Sequence, residues 1–203
     1  MNNKTNVRAL TILALMTALV VIFSFTPIGS IPIGPQVITL NTIPDDIAAI
    51  ALGPKGGAIM GGVFGLLSFL QCIGVGIPSG MGAVLFSISP FLAFVQRFVP
   101  RALDGFLVGV IFRACEKKLG KWACFIAGFC TAFLNTAFFM SALVLLFGHT
   151  EYVQNLMNGR NVLAFIVGFV GVNAVVEMIS STLIAGFVGT ALYQAKILPL
   201  DKK

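Results

Sequence analysis

The sequence predicts an all-α membrane protein, a single bundle of six transmembrane helices over residues 1–203 with both termini in the cytoplasm. Apolar residues make up 58% of the chain and charged residues only 10%, whereas a soluble domain carries about 25% charged residues. The mean hydropathy is +1.00, and several apolar runs reach the roughly 20 residues that a helix needs to cross a bilayer. A chain of 203 residues has room for about six spans and no separate soluble domain.

The charges and cysteines exclude several function classes. The net charge of +6 does not indicate a nucleic-acid partner, because the Lys and Arg residues lie in short loops and at span ends rather than in one patch. The four cysteines form no C-x-x-C pair and no metal-binding pattern with histidine, so we expect buried thiols, no metal and no cofactor. A G-x-x-x-x-G-K-[ST] phosphate loop is also missing, so the chain is not expected to hydrolyse ATP itself.

Span one is predicted over Val7–Phe25. Lys4 and Arg8 precede it as in a signal peptide, but no small-residue cleavage site follows, so we expect a retained span. Ala14 and Ala18 are small residues one helical turn apart, which allows another helix to approach closely. The pair indicates either packing within the bundle or docking to a partner protein.

The stretch 26–44 separates spans one and two. It holds four prolines and two glycines, a density that excludes a regular helix, yet its other residues are largely apolar. We expect it to fold as a cap over the outer mouth of the bundle. Asn41, near its end, is one of the predicted substrate-binding residues.

Span two is short, running from Pro44 to the Gly53–Pro54 pair. Pro44 suits a first helical turn, and Asp45 and Asp46 suit the positive end of the helix dipole. At 1.5 Å per residue such a helix covers about half of the bilayer, so its first turn would open inside the bundle, as in transporter sites. Asp46 is therefore a candidate substrate-binding residue. The alternative is that both aspartates cap a helix at the outer surface.

Span three follows a tight turn and ends near Gln71. Glycine recurs at every fourth position from Gly53 to Gly65, which predicts a ridge for close helix packing. The stretch from Cys72 to Gln96 is rich in glycine and proline and is expected to be a second long loop.

Span four is predicted from Gln96 to Cys115, with Arg97, Arg101 and Asp104 on one face. Two interpretations remain open for these charges. An arginine and Asp104 can pair within the helix, or one arginine can lie over a cavity, where its planar fork would bind a carboxylate or phosphate. Arg97 and Arg101 are both predicted substrate-binding residues.

Spans five and six carry polar residues in the middle of apolar runs. Asn135 lies at mid-span in the run from Trp122 to Phe147, and Asn173 and Glu177 lie four residues apart in the run from Asn161 to Tyr193. That spacing places Asn173 and Glu177 on one helix face. A carboxylate at this depth is costly, so it should face protein or a water-filled cavity. These residues either join helices or form the polar wall of a small-molecule pocket.

The orientation follows from the distribution of positive charge. Six spans put both termini on one side, and ten Lys and Arg residues fall on that side against three on the other. By the positive-inside rule the side with ten is cytoplasmic. The ten are Lys4, Arg8, Lys55, Arg113, Lys117, Lys118, Lys121, Lys196, Lys202 and Lys203, and the three are Arg97, Arg101 and Arg160.

Several segments carry a family resemblance. They are ALMTA in span one, TPIGSIPIG after it, LGPKGGAIMGGVFGLLSF around span three, PRALDGFLVGVIF in span four, FLNTAFFMSALVLLFG in span five and the Asn-x-x-x-Glu of span six. With these segments the chain resembles a substrate-binding S component of an energy-coupling factor (ECF) vitamin transporter. TPIG and LGPK are most similar to the pantothenate branch.

The resemblance implies a protein that binds a vitamin outside the cell but does not transport it alone. A membrane coupling subunit and two ATPase subunits would supply the work, and the S component would tilt in the bilayer to open its pocket inward. Ala14 and Ala18 match the face that meets the coupling subunit.

Rival functions are other vitamins, an independent transporter and an enzyme. Riboflavin, folate and thiamine relatives share the architecture with different pocket residues. A stand-alone secondary transporter would show an internal repeat, and residues 1–100 and 101–203 show no convincing similarity. A small membrane enzyme would need a nucleophile–base pair or a metal cluster, and His149 is the single histidine, in a polar loop. We therefore predict no enzymatic activity.

Overall fold

A computed structural model shows a protein that is helical almost throughout, as predicted, with one short β-hairpin in addition. It describes residues 3–27, 29–33, 36–195 and 197, and side chains at 7–27, 29, 40–171, 173–195 and 197. Lys196, Lys202 and Lys203 lie outside the described residues. The helices are α1 (Asn3–Phe25), α2 (Thr42–Leu70), α3 (Gly80–Ile88), α4 (Pro90–Leu119), α5 (Ala123–Phe147), α6 (Glu151–Met157) and α7 (Val162–Gln194).

Four stretches of the described chain are long and apolar enough to cross a membrane. Two of them each contain two of the predicted spans, so length and hydropathy alone do not separate six crossings. The four are Val7–Phe25, Thr42–Ile73, Pro90–Phe147 and Asn173–Gln194.

The helix α2 reverses direction at Gly53, where the sequence predicts a tight turn. Gly53 has φ 72° and ψ −165°, a conformation open to glycine and strained for other residues. A Cβ placed on Gly57 would lie 2.9 Å from the Cβ of Ala49. In an unbroken helix these two positions would be about 12 Å apart along the axis. Segments 42–52 and 54–70 therefore fold back on each other, and segment 42–52 is as short as predicted.

The prediction of an irregular loop over 72–96 was wrong for most of its length. Serine side chains begin two helices there: the Ser79 hydroxyl accepts a hydrogen bond from the Gly82 N–H at 3.1 Å, and the Ser89 hydroxyl accepts one from the Leu92 N–H at 3.4 Å. These caps satisfy backbone donors that would otherwise lack partners. Consequently α3 forms within the predicted loop, and α4 begins at Pro90 rather than near position 96.

The stretch 26–44 is not wholly irregular either. Strands β1 (Ser30–Ile33) and β2 (Gln36–Thr39) pair antiparallel, with Ile31 opposite Ile38. The Leu40 N–H donates to the Gly29 carbonyl at 3.0 Å and closes the hairpin. The strand β2 lies beside α7. Positions 28, 34 and 35 of this predicted cap lie outside the described residues.

The helix α4 is the centre of the bundle and packs mainly against α2 and α5, while α5 packs against α7 and α1 against α2. The predicted glycine ridge makes the α2–α4 contact. A Cβ on Gly61 would collide with the carbonyl oxygen of Arg101, and one on Gly65 would lie 2.9 Å from the carbonyl oxygen of Arg97. The ridge therefore lets the α4 backbone approach closely and sets the positions of both arginines.

Candidate functional site

A cavity opens between α2, α4, α5 and α7, closed on one side by segment 71–81. Five of the seven predicted substrate-binding residues line it. They are Arg97, Arg101, Asn135, Asn173 and Glu177, and the other lining residues are Phe64, Ser68, Gln71, Ile77, Ser79, Met81, Thr136, Phe139, Met140, Val170 and Ala174.

Arg97 and Arg101 form the cationic wall of this cavity, and both side chains are almost fully buried. The Arg97 guanidinium donates from Nη1 to the Ser68 hydroxyl at 3.3 Å and from Nη2 to the Ser79 hydroxyl at 3.2 Å. Arg101 donates from Nη1 to the backbone carbonyl of Arg97 at 3.0 Å. Two buried cations side by side favour an anionic group of a ligand as the counter-charge.

Aromatic rings cover both guanidinium groups. The Arg101 guanidinium carbon lies 4.4 Å from the ring centroid of Phe64 and 5.2 Å from that of Phe139. The Arg97 guanidinium carbon lies 5.0 Å from the Phe139 centroid. These cation–π contacts hold the guanidinium groups in place and exclude water from their faces. The edges of the guanidinium groups remain for polar contacts.

Asn135, Asn173 and Glu177 supply the neutral and acidic polar groups of the cavity. Asn135 is 6% exposed and Asn173 is 9% exposed, yet neither side chain makes a hydrogen bond to any residue that the structure describes. A buried amide without a protein partner is costly, so both groups are available to hydrogen-bond a ligand that enters the cavity. Glu177 lies one turn beyond Asn173 on the same wall. Glu177 and Arg101 face the same cavity.

Asn41 and Asp46, the other two predicted substrate-binding residues, are buried but do not line this cavity. Asp46 accepts a hydrogen bond from the Thr131 hydroxyl at 2.9 Å, and the Asn41 side chain donates to the Ser24 hydroxyl at 3.3 Å. Asp45 is 1% exposed, so the two aspartates do not cap a helix at the outer surface. Instead they begin a half-length helix inside the bundle, where an interrupted helix was predicted.

Asp104 does not appear as the partner of an arginine in the described part of the chain. Its Oδ1 atom is buried without a hydrogen bond, and no ion pair joins it to Arg97 or Arg101 among the described residues. The structure therefore favours the second interpretation of span four, in which an arginine faces a cavity.

Ala14 and Ala18 lie on the exposed side of α1, whereas Met16 and Val20 on its other side are buried. The pair does not pack against another helix of the described chain. Its surroundings in a membrane would be lipid or a partner protein.

His149 is exposed in the loop after α5, and the described residues contain no group of three or more His, Cys, Asp and Glu placed to hold a metal ion.

Sequence analysis missed the cavity residues that support the arginines, namely Phe64, Ser68, Ser79 and Phe139. A spacing signal existed for three of them. Ser68 follows Phe64 by four residues, and Phe139 follows Asn135 by four, so each pair shares a helix face. No comparable signal existed for Ser79, because its role depends on α3, which was predicted to be loop.

Comparisons with known proteins identify a family and two relatives. A family model described as "ECF transporter, substrate-specific component" matches residues 8–188. The chain is 29% identical over 202 residues to the protein named Pantothenate transporter PanT of Leuconostoc mesenteroides subsp. mesenteroides, and the match covers 94% of each chain. It is 28% identical over 210 residues to the Pantothenic acid transporter PanT of Lactococcus lactis subsp. cremoris, covering 95% of this chain and 97% of that protein.

Proposed function

Because this chain belongs to the family of substrate-specific components of ECF transporters, we propose that it is the pantothenate-binding subunit of such a transporter. The family consists of transporter components, so the chain is not an enzyme. It is a multi-pass membrane protein, in agreement with its apolar helices. The proposal adds the ligand, the orientation and the partners.

The ligand assignment is supported by the match between the cavity and a small anionic amide. Pantothenate carries a carboxylate, a secondary amide and two hydroxyl groups. The carboxylate complements the Arg97 and Arg101 wall. The amide and hydroxyl groups complement Asn135 and Asn173, which lack partners among the described residues, while the Glu177 carboxylate is placed to accept from a hydroxyl. The names of both relatives point to the same ligand.

The membrane arrangement is the one that the charge distribution predicts. We propose six crossings, counting segments 42–52 and 54–70 as two, with both termini cytoplasmic and the cavity opening outward. The paired strands β1 and β2 and segment 71–81 then lie on the outer side, where the two strands are proposed to close over the bound ligand.

The partners are proposed from the family and from the exposed face of α1. The coupling subunit would dock on Ala14 and Ala18, whose small side chains allow close approach of a helix. Two ATPase subunits would complete the transporter. Capture outside the cell and release inside then require a tilt of the whole bundle, driven by the ATPase subunits.

The observation that carries the proposed function is a pair of buried amides in the cavity, Asn135 and Asn173, that make no hydrogen bond to any described residue. Isothermal titration calorimetry of the purified protein with pantothenate, riboflavin, folate and thiamine tests it. We expect binding of pantothenate alone. Tight binding of thiamine, a cation, would contradict the ligand assignment and make Glu177 the charge partner.

Variants of the cavity locate the site. We expect Glu177→Gln to weaken pantothenate binding about tenfold to hundredfold, because a hydrogen bond to a charged group contributes about 1.5–3 kcal/mol. Asn173→Ala should weaken it about fivefold to hundredfold, because a buried polar group of the ligand left without its partner costs about 1–3 kcal/mol. Asn155→Ala is the matched control, since Asn155 is exposed on α6 and should leave affinity unchanged. If the Asn173 and Glu177 variants bind as the wild type does, these residues only join helices.

A further inference from the structure

The two arginines of the cavity differ in how far their donors are already used. Both terminal nitrogens of Arg97 donate to serine hydroxyls, at 3.3 Å to Ser68 and at 3.2 Å to Ser79. In Arg101 only Nη1 is used, at 3.0 Å to the Arg97 carbonyl, and Nη2 makes no hydrogen bond to any described side chain or backbone group. Arg101 lines the cavity, so this unused donor is available to a ligand there.

Arg97 contacts both α2 and the start of α3 in the cavity wall. Ser79 accepts from Arg97 and also from the Gly82 N–H at 3.1 Å, so its hydroxyl joins the guanidinium to the first turn of α3. The packing there is close, because a Cβ on Gly82 would lie 3.0 Å from Arg97 Nη2 and 2.7 Å from Cys72 Sγ. Ser68 anchors the same guanidinium to α2. Arg97 therefore links the segment 71–82 to two helices of the bundle.

Arg101 is built as a receptor for a planar anion. Phe64 and Phe139 lie over its guanidinium at 4.4 and 5.2 Å, which fixes its plane and keeps water from its faces. The glycine ridge holds its backbone against α2 at Gly61. A guanidinium that is fixed in this way loses little side-chain entropy when it binds a carboxylate.

We propose that the two arginines have separate tasks: Arg101 binds the carboxylate of the ligand and selects for its charge, and Arg97 is a positioning residue that holds segment 71–82 over the cavity. The proposal rests on the proposed function and deepens it. It assigns charge selection to one residue and closure of the cavity wall to its neighbour one turn away.

Pantothenate and its uncharged analogue panthenol allow the tasks of the two arginines to be measured separately. Panthenol is pantothenate with a CH₂OH group in place of the carboxylate, so the ratio of the two dissociation constants measures charge selection alone. In the wild type we expect pantothenate to bind about tenfold to hundredfold more tightly than panthenol. In Arg101→Gln the ratio should fall to about one through loss of pantothenate affinity. Arg101→Lys, which keeps the charge, should retain part of the preference and serves as the second variant if Arg101→Gln does not fold.

Arg97→Gln should weaken both ligands by a similar factor and leave their ratio unchanged. Hydrogen exchange gives a second readout, since the amides of 71–82 should exchange faster in Arg97→Gln but not in Arg101→Gln. Arg160→Gln is the control, because Arg160 is exposed outside the cavity and should change neither the ratio nor the exchange.

The outcomes distinguish this proposal from the proposed function. A ratio that collapses in Arg97→Gln, whether or not it collapses in Arg101→Gln, would overturn the division of tasks while leaving pantothenate binding in place. Equal binding of both ligands by the wild type would overturn the assignment of the carboxylate to Arg101. A wild type that binds neither ligand would overturn the proposed function, and this inference with it.

Discussion

Two adjacent glycines of α2, Gly61 and Gly62, provide a matched pair for testing how the cavity is positioned. Both are buried in segment 54–70. A Cβ on Gly61 would collide with the carbonyl oxygen of Arg101, whereas a Cβ on Gly62 would meet the ring edge of Phe98 at 3.4 Å, an ordinary van der Waals contact. Alanine at Gly61 therefore has to push α4 away from α2, and alanine at Gly62 does not.

The two substitutions are expected to change the free energy of unfolding in opposite directions, if they change it at all. Each Gly→Ala change in a helix gains about 1 kcal/mol of helix propensity. Overpacking at Gly61 costs about 1–3 kcal/mol against that gain, so Gly61→Ala should leave the free energy of unfolding unchanged or lower it by up to about 2 kcal/mol. Gly62→Ala should leave it unchanged or raise it by up to about 1 kcal/mol.

Ligand affinity is the sharper readout, because Gly61 touches the backbone of the residue proposed to bind the carboxylate. Displacing Arg101 should cost part or all of one charge-assisted hydrogen bond, about a tenfold to hundredfold loss of pantothenate affinity, and Gly62→Ala should retain wild-type affinity. Thermal unfolding and titration calorimetry on both variants measure the two quantities. Equal affinities for Gly61→Ala and Gly62→Ala would refute the conclusion that the ridge sets the position of Arg101.

Two further predictions concern orientation and docking. In a variant without native cysteines, a membrane-impermeant thiol reagent should label a cysteine placed at His149 but not one at Lys118, and the reverse pattern would invert the topology. Ala14→Trp should bind pantothenate normally but fail in uptake with the coupling subunit, while Leu15→Trp, at an exposed position off the small-residue pair, should support uptake. Loss of binding by Ala14→Trp would instead mean that Ala14 packs within the bundle.

Much of the fold was predictable because the membrane imposes simple rules on the sequence. The turn at Gly53, the glycine ridge and the long helices α1, α5 and α7 follow from glycine spacing and uninterrupted apolar runs. Asn173 and Glu177 were predictable as cavity residues for the same reason, since polar groups within a span need polar or aqueous surroundings.

The features that were missed depend on local capping or on contacts distant in sequence. The helix α3 depends on the Ser79 cap, which offsets a glycine-rich composition. Asn41 and Asp46 have the residue types of a binding site but are turned toward Ser24 and Thr131, and no periodicity encodes that choice. The aromatic cover of Arg101 joins Phe64 on α2 to Phe139 on α5, so it becomes visible only after the helices are packed.

The central claim is that the isolated chain binds one pantothenate molecule in the cavity of Arg101, Asn135 and Asn173. Native mass spectrometry of the purified protein, released from detergent after addition of an equimolar mixture of pantothenate, riboflavin, folate and thiamine, tests this most directly. The account predicts one adduct with the mass of a single pantothenate, whose fraction falls in the Asn173→Ala variant and is unchanged in Asn155→Ala. An adduct with the mass of another vitamin, or a pantothenate adduct that survives unchanged in Asn173→Ala, would contradict it.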